Sequence, residues 1–316
     1  MKNFGNIKKI RGDASFRKFY RKKNKNFNSI IVLADKEKYK NLLIYDAINK
    51  LLIKNNILAP ILHKESYKKN YIEIQDFGHD TIFKIIKNNK NKKLIYFKMI
   101  IDTLDKMQSI KKKKIKNFQE KVYVIPKYKN ETLIKEANLF CDWYVKKKLI
   151  KSKQVIFIKI YKQLIKNLTL NLKLKNDVFV HRDFHVSNLM LVNNQVGVID
   201  SQDALIGNKA YDLASLIDDV RLPTSKLIKN KIFNLYLHNK KKIDKKKFQN
   251  DFEILSVLRN LKIIGIFTRL AYRDKKKDYI KLIPHAWYLI NLRLNQNKIF
   301  SELKELLKKN FKGKIK

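Results

Sequence analysis

The chain has 316 residues, 45% of them hydrophobic, a length that buries roughly three quarters of the unfolded surface and a composition that excludes a disordered chain. The single cysteine, Cys141, excludes an intramolecular disulfide or a cysteine-cluster metal site and points to a reducing cytoplasm. No uncharged apolar run approaches the roughly 20 residues of a membrane span, and the N-terminus has no signal-peptide core, so a cytoplasmic protein without a membrane partner is expected despite 72 Lys and Arg against 28 Asp and Glu, net +44.

The first elements are strands around one helix. "FRKFYR" at 16–21 and "SIIVLA" at 29–34 are β-prone. Residues 36–54 then carry the rows Leu43, Ala47, Leu51 and Ile44, Ile48, Leu52 at helical spacing. "APILHKE" and "YIEIQDF" (71–77) return to strand, and Gly78 closes the block. Helical patterns follow over about 79–109, 131–149, 153–173 and several segments from 209 to 310. They are interrupted by "VFV", "LMLV" and "VGVI", short strands of which the last two flank an Asn193-Asn194 turn. The fold class predicted is α+β, bilobal: a small β-rich N-terminal lobe over 1–78 and a larger helical C-terminal lobe over 79–316, forming one domain overall.

The interrupting stretch, "FVHRDFHVSNLMLVNNQVGVIDSQDA", sets Asp183, Asn188 and Asp200 five and then twelve residues apart. An Asp in a loop just after a strand can accept a proton from a substrate hydroxyl. An Asn and a second Asp, one on each side of a hairpin, supply hard oxygen ligands. Mg²⁺ prefers one or two carboxylates plus phosphate oxygens to an all-protein cage. A base and a metal that neutralises phosphate charge are the parts that phosphoryl transfer needs. Each residue taken singly also fits an Asp-capped turn without catalysis; the three together in "HRDxxxxN…VID" point to the reaction.

With those residues in view, "HRDFHVSNLML…GVIDSQDALIGNKAYDLASL" resembles the catalytic core of the aminoglycoside phosphotransferase family, the small-molecule branch of the protein-kinase-like fold. The resemblance implies ATP and Mg²⁺ as cofactors, Asp183 as the base, and Asn188 and Asp200 as metal ligands. It also implies an N-terminal lobe that holds the nucleotide, with Gly12 and Ser15 in the phosphate loop "RGDASFRKFYR" and a hinge at Asp76 and Phe77 whose backbone meets adenine. "DFG" at 76–78 lies ahead of the HRD motif, unlike the protein-kinase motif it spells, and Asp212 in "YDLA" is expected as a helix N-cap. The strand "SIIVLADKEK" contains no lysine where protein kinases carry one; Arg17 and Arg21, before it, and Lys36, at its end, are the candidates to replace it. The resemblance is closest to the family's cell-wall amino-sugar kinases, which phosphorylate the anomeric hydroxyl of N-acetylmuramate and N-acetylglucosamine. It extends through "GDASFRKFYR", "IQDFGHDTIF", "EANLFCDWYV" and "LKIIGIFTRLAYRDKKKDYIKLIPHAWYLI", departing at Lys-rich insertions and at Ser201, where a bulkier residue is usual.

Helical spacing sets Glu136, Phe140 and Trp143 on one face. A carboxylate beside aromatics is a platform for a sugar, and the same pattern fits an amphipathic helix turning its aromatics into the core. Asp203, Asp218, Asp219 and Arg221 either border the acceptor site or are solvated. The charge has two readings as well. A nucleic-acid binder would cluster basic residues and interleave aromatics, whereas here Lys runs along the whole chain with Asn and Ile equally inflated, the signature of AT-rich coding. No specific nucleic-acid partner is expected. Choline, homoserine and aminoglycosides are the alternative acceptors on the same fold.

Overall fold

A computed structural model describes residues 6–10, 17–23, 27–35, 40–89, 93–238, 240 and 242–316. The chain divides into two compact units, Met1–Pro126 with Val178–Ile206, and Lys127–Asp177 with Gly207–Lys316. Their architecture, a β-sheet N-terminal region and a helical C-terminal part, is that of the protein-kinase-like fold.

The first unit is built on a five-stranded antiparallel sheet in the order β1-β2-β3-β5-β4. Its strands are β1 (Ile7–Ile10), β2 (Lys18–Lys23), β3 (Asn28–Leu33), β4 (Leu62–Ser66) and β5 (Tyr71–Gln75). Cross-strand apolar pairs Ile30–Ile74 and Val32–Ile72 set the β3–β5 register. Helix α1 (Asn41–Lys54) packs against this sheet. Both rows of the sequence pattern are buried over their last two members, Ala47 with Leu51 and Ile48 with Leu52, while their first members, Leu43 and Ile44, are half-buried. Two polar side chains, Tyr45 and Asn49, join the aliphatic ones on the buried side.

The pattern over 79–109 resolves into α2 (Ile82–Asn88), capped by the Thr81 side chain, and α3 (Lys93–Gln108). Three features lacked a sequence signal: β1, the small hairpin of β6 (Lys114–Lys116) with β7 (Val122–Val124), and a short strand at Leu205–Asn208. After β8 (Asn176–Val180) comes the hairpin of β9 (Leu189–Val192) and β10 (Gln195–Val198). Asn193 and Asn194 both have positive φ at its tip, as a two-residue hairpin turn requires. The Val198 amide donates to Leu58 O at 2.7 Å and the Leu191 amide to Asp80 O at 2.9 Å, tying the hairpin to the sheet-and-helix body. Gly197 is part of that seam. A Cβ there would stand 2.8 Å from the Phe77 ring.

The second unit takes over at β11 (Leu205–Asn208) and is helical. It comprises α4 (Asn130–Ala137), a π-helical stretch Phe140–Val145 running into α5 (Lys146–Lys148), α6 (Lys151–Leu170), α7 (Ala210–Ile217), α8 (Lys226–His238), α9 (Lys245–Tyr272), α10 (Ile283–Leu294) and α11 (Ser301–Asn310). Helix α9 is buried without a break from Asp251 to Leu261, as expected of a helix surrounded by others. The core collects Phe140, Tyr144, Phe157, Tyr161, Trp287 and Phe311, with Phe140 stacked on Tyr144 at 5.3 Å and edge-on to Trp287 at 5.7 Å. Close approach of α9 to the π stretch needs Gly265, since a Cβ there would meet the Leu139 carbonyl at 2.3 Å. Cys141 is buried beside this cluster, and burial first, then Asp142, pushes its thiol up to about 12.

Candidate functional site

Strand β8 delivers the chain into a loop whose backbone hydrogen bonds fix the catalytic candidates. The His185 amide and the Asn188 side-chain amide both donate to Asp183 O, at 3.0 and 3.1 Å. The Ile199 amide donates to Asn188 O at 3.1 Å, so the residue preceding Asp200 is tied to the other end of the same hairpin. His181 is fully buried and its Nε2 bonds Ile199 O at 3.1 Å. Asp183, Asn188 and Asp200 are therefore held by one hydrogen-bonded loop and hairpin inside the first unit. Besides the two asparagines of the hairpin tip, Arg182 (φ 75°) and Asp200 (φ 65°) adopt left-handed backbone there. Such strain persists where the surroundings over-determine it, most often at functional sites.

A divalent cation suits these donors. The Asn188 amide NH₂ is engaged with Asp183 O, which leaves Asn188 Oδ1 as the ligand atom, and Asp200 contributes a carboxylate. One amide and one carboxylate are a hard-oxygen set that needs phosphate oxygens to complete it, as for Mg²⁺ with a nucleotide. Asp200 already holds a cation: Arg17 Nη2 donates to its Oδ1 at 2.6 Å.

Three residues not singled out in the sequence support that pair. Arg17 lies over the rings of Phe19 and Tyr45, its guanidinium carbon 5.8 and 5.6 Å from their centroids. Burial and then the Asp200 charge push the Tyr45 hydroxyl up to about 12, so it stays protonated. Ser201 Oγ donates to Asn49 Oδ1 at 2.7 Å, and the Asn49 amide donates to Pro60 O at 3.1 Å. The small Ser201 is thus a hydrogen-bonding partner of α1. The available signal was a Tyr and an Asn four apart inside an apolar helical row.

The other nucleotide candidates fare differently. Gly12 and Ser15 lie outside the described residues, as does Lys36. Arg21 is committed elsewhere: its Nε and Nη2 grip the Asp76 carboxylate, the latter at 2.9 Å, and Nη2 also donates to Gly78 O at 2.6 Å. Asp76 Oδ1 in turn accepts from the Gly78 amide at 2.8 Å. The Asp76 side chain is therefore a structural clasp between Arg21 and the Gly78 backbone. Phe77 packs on Gly197.

The acceptor candidates are redistributed. Glu136 pairs with Lys262 at 3.0 Å and accepts from the Tyr128 hydroxyl, which itself lies 3.2 Å from Tyr211 Oη. The helix turns π-helical at Phe140; Phe140 is fully buried in the aromatic core, while Trp143 is half-buried, 5.9 Å from the Arg273 guanidinium. Asp203 accepts from Gln202 Nε2 at 2.8 Å. Asp212 is not an N-cap: it lies within the first turn of α7, fully buried, and Asn208 Oδ1 takes the Ala210 amide at 2.9 Å instead. Asp218 and Asp219 are buried rather than solvated.

Arg259 on α9 had no sequence signal. It is 5% exposed, its Nη1 has no hydrogen-bond partner, and among the described residues its guanidinium has no ion pair. A buried charge lacking a counter-charge costs several kcal/mol. Arg259→Met is accordingly expected to stabilise the protein by about 1 kcal/mol or more, read as a higher midpoint in urea. A lowered midpoint would mean that the guanidinium is compensated in solution.

The profile of the phosphotransferase enzyme family matches residues 6–240. An N-acetylmuramate/N-acetylglucosamine kinase from Neisseria meningitidis is 28% identical over 86% of this chain and 80% of its own. A kinase of the same name from Pseudomonas putida is 26% identical, covering 96% of this chain and 88% of its own. Among solved structures, an amicoumacin kinase in complex with AMP-PNP, Ca²⁺ and its antibiotic superposes with a TM-score of 0.64 at 14% identity, over 95% of this chain and 92% of that one. Among the described residues, no helix is long and apolar enough to cross a membrane.

Proposed function

The chain belongs to the phosphotransferase enzyme family, transferring a phosphoryl group to a hydroxyl, and from that premise we propose that it is an ATP- and Mg²⁺-dependent cytoplasmic kinase of the anomeric hydroxyl of N-acetylmuramate or N-acetylglucosamine. The observation that carries the acceptor is the likeness to amino-sugar kinases over at least 80% of their own length. In functional terms, residues 1–78 serve the nucleotide and 79–316 the chemistry and the acceptor.

Asp183 receives the proton of the acceptor hydroxyl. A hemiacetal hydroxyl is more acidic than the other sugar hydroxyls and yields more readily to a carboxylate base. Asn188 and Asp200 would hold Mg²⁺, which when bound neutralises charge on the transferring phosphates. Glu136, Trp143 and Asp203 remain the proposed acceptor contacts, with Glu136 held in place by Lys262 and Tyr128. The cationic field of the chain favours the anionic N-acetylmuramate over its neutral relative.

Incubation with Mg-ATP and each sugar should give a product that has lost its reducing end and carries acid-labile phosphate. Phosphate on the primary hydroxyl, with the reducing end intact, overturns the anomeric assignment. Turnover of choline or an aminoglycoside but of neither sugar moves the chain to another branch. Asp200→Ala is expected to abolish metal-dependent nucleotide binding with little loss of helicity. Calorimetry with and without Mg²⁺ checks this, and unchanged metal dependence places the metal elsewhere.

A further inference from the structure

The absent strand lysine leaves open which cation meets the nucleotide phosphates. The structure separates the two arginine candidates. Arg21 has its Nε and Nη2 on Asp76 and a further bond to Gly78 O, and could leave only by dismantling the hinge clasp. Arg17 donates from Nη2 to Asp200 Oδ1, its side chain 3% exposed against 32% for the carboxylate. Its guanidinium lies over the rings of Phe19 and Tyr45, which orient it.

We propose that Arg17 and the divalent cation share Asp200: Arg17 is the cation Asp200 holds before nucleotide arrives, and it turns to the triphosphate when metal and nucleotide bind together. This rests on the reading of Asp200 as a metal ligand. The electrostatics follow from the 2.6 Å contact. One carboxylate charge is already compensated, so a bare divalent cation approaching Asp200 meets a fixed positive charge a few ångströms away. In a partly buried site that repulsion is screened far less than in water. A polyanionic nucleotide reverses the balance, because its phosphates take up Arg17 and release the carboxylate to the metal. Metal and nucleotide are then coupled ligands, each raising affinity for the other, as linkage demands. Arginine suits the task better than lysine, since its planar fork stacks on rings and binds phosphate through two N–H groups.

The test uses the full chain with Mn²⁺ as the metal, followed by electron paramagnetic resonance, and ADP as the nucleotide, followed by calorimetry. Wild type should bind Mn²⁺ weakly without ADP. Arg17→Gln should bind Mn²⁺ alone at least about tenfold more tightly, while its affinity for ADP with Mn²⁺ falls by about 10- to 100-fold. Arg17→Lys keeps the charge, so it should keep the weak Mn²⁺ binding of wild type while losing part of the ADP affinity. Unchanged Mn²⁺ affinity in Arg17→Gln overturns the sharing. So does loss of both affinities together with a lowered melting temperature, which would make the pair structural only. Asp200→Ala distinguishes the premise: if that variant still binds Mn²⁺ with ADP normally, the ligand assignment fails and the metal lies elsewhere.

Discussion

Asp183→Asn is expected to lower turnover by about 10²–10⁴-fold with nucleotide affinity nearly unchanged. The substitution keeps the shape of the side chain and removes only its ability to take a proton. The backbone carbonyl of residue 183 still receives the His185 and Asn188 donors, so the loop and the metal ligands should stay in register. A fall in turnover without a matching rise in the ADP dissociation constant assigns the loss to proton transfer. Near-normal turnover removes Asp183 from the role of base.

Asp218→Ala is expected to destabilise the helical unit by about 3–5 kcal/mol. The carboxylate is fully buried and takes Lys229 at 3.1 Å, Arg293 Nε at 2.8 Å and Ser256 Oγ at 2.6 Å. Removing it strands two buried cations on α8 and α10 that, among the described residues, pair with this anion alone, although Lys229 also donates to Ile217 O at 2.6 Å. Burial alone would raise the Asp218 pKa, but Lys229 and Arg293 outweigh it and hold the group well below its ordinary 3.8. A depressed carboxylate contributes stability in full above that ordinary value and loses it as the pH falls below it toward the folded value. The denaturation midpoint should therefore drop in Asp218→Ala at neutral pH, and the gap to wild type should narrow below about pH 4. Replacing Lys229 and Arg293 by Met in the same background should recover much of the loss, since an apolar cluster can substitute for a buried ionic one. A midpoint within experimental error of wild type for the single variant would mean that water already solvates this cluster.

The reaction was legible because its parts are local. Asp183, Asn188 and Asp200 sit on one loop and hairpin, where spacing along the chain translates directly into geometry, and Asn193-Asn194 announces the turn between the strands. The sheet and most helices were legible from periodicity for the same reason. What periodicity could not give was partnership across distance. Arg17 and Asp200 are 183 residues apart, and neither arginine of "FRKFYR" carries a local mark to say which one pairs with Asp76. Asp218 read as a possible pocket residue because its two cations come from helices far along the chain. Glu136, Phe140 and Trp143 were grouped by counting 3.6 residues per turn through a stretch where the hydrogen bonding is π-helical, and their burial differs: Phe140 lies in the core, while Glu136 and Trp143 are half-buried. Asp212 looked like a cap because it starts an apolar run, yet Asn208 does that work from the preceding strand.

Glycine is scarce in this chain, seven residues in 316, and its codons are GC-rich. The same mutational drift that multiplied Lys, Asn and Ile should have worn glycine away wherever a side chain could be tolerated. At Gly265 it could not, because the obstacle is the Leu139 backbone carbonyl, which has no rotamer to yield. At Gly197 the obstacle is the Phe77 ring, pressed on the hairpin between Asn188 and Asp200. Drift thus acts as a natural substitution scan of this molecule. Gly265 and Gly197 mark where two backbones, or a backbone and a ring, must stay in contact, and they identify immovable points of the scaffold that an engineer seeking to change the acceptor should leave untouched.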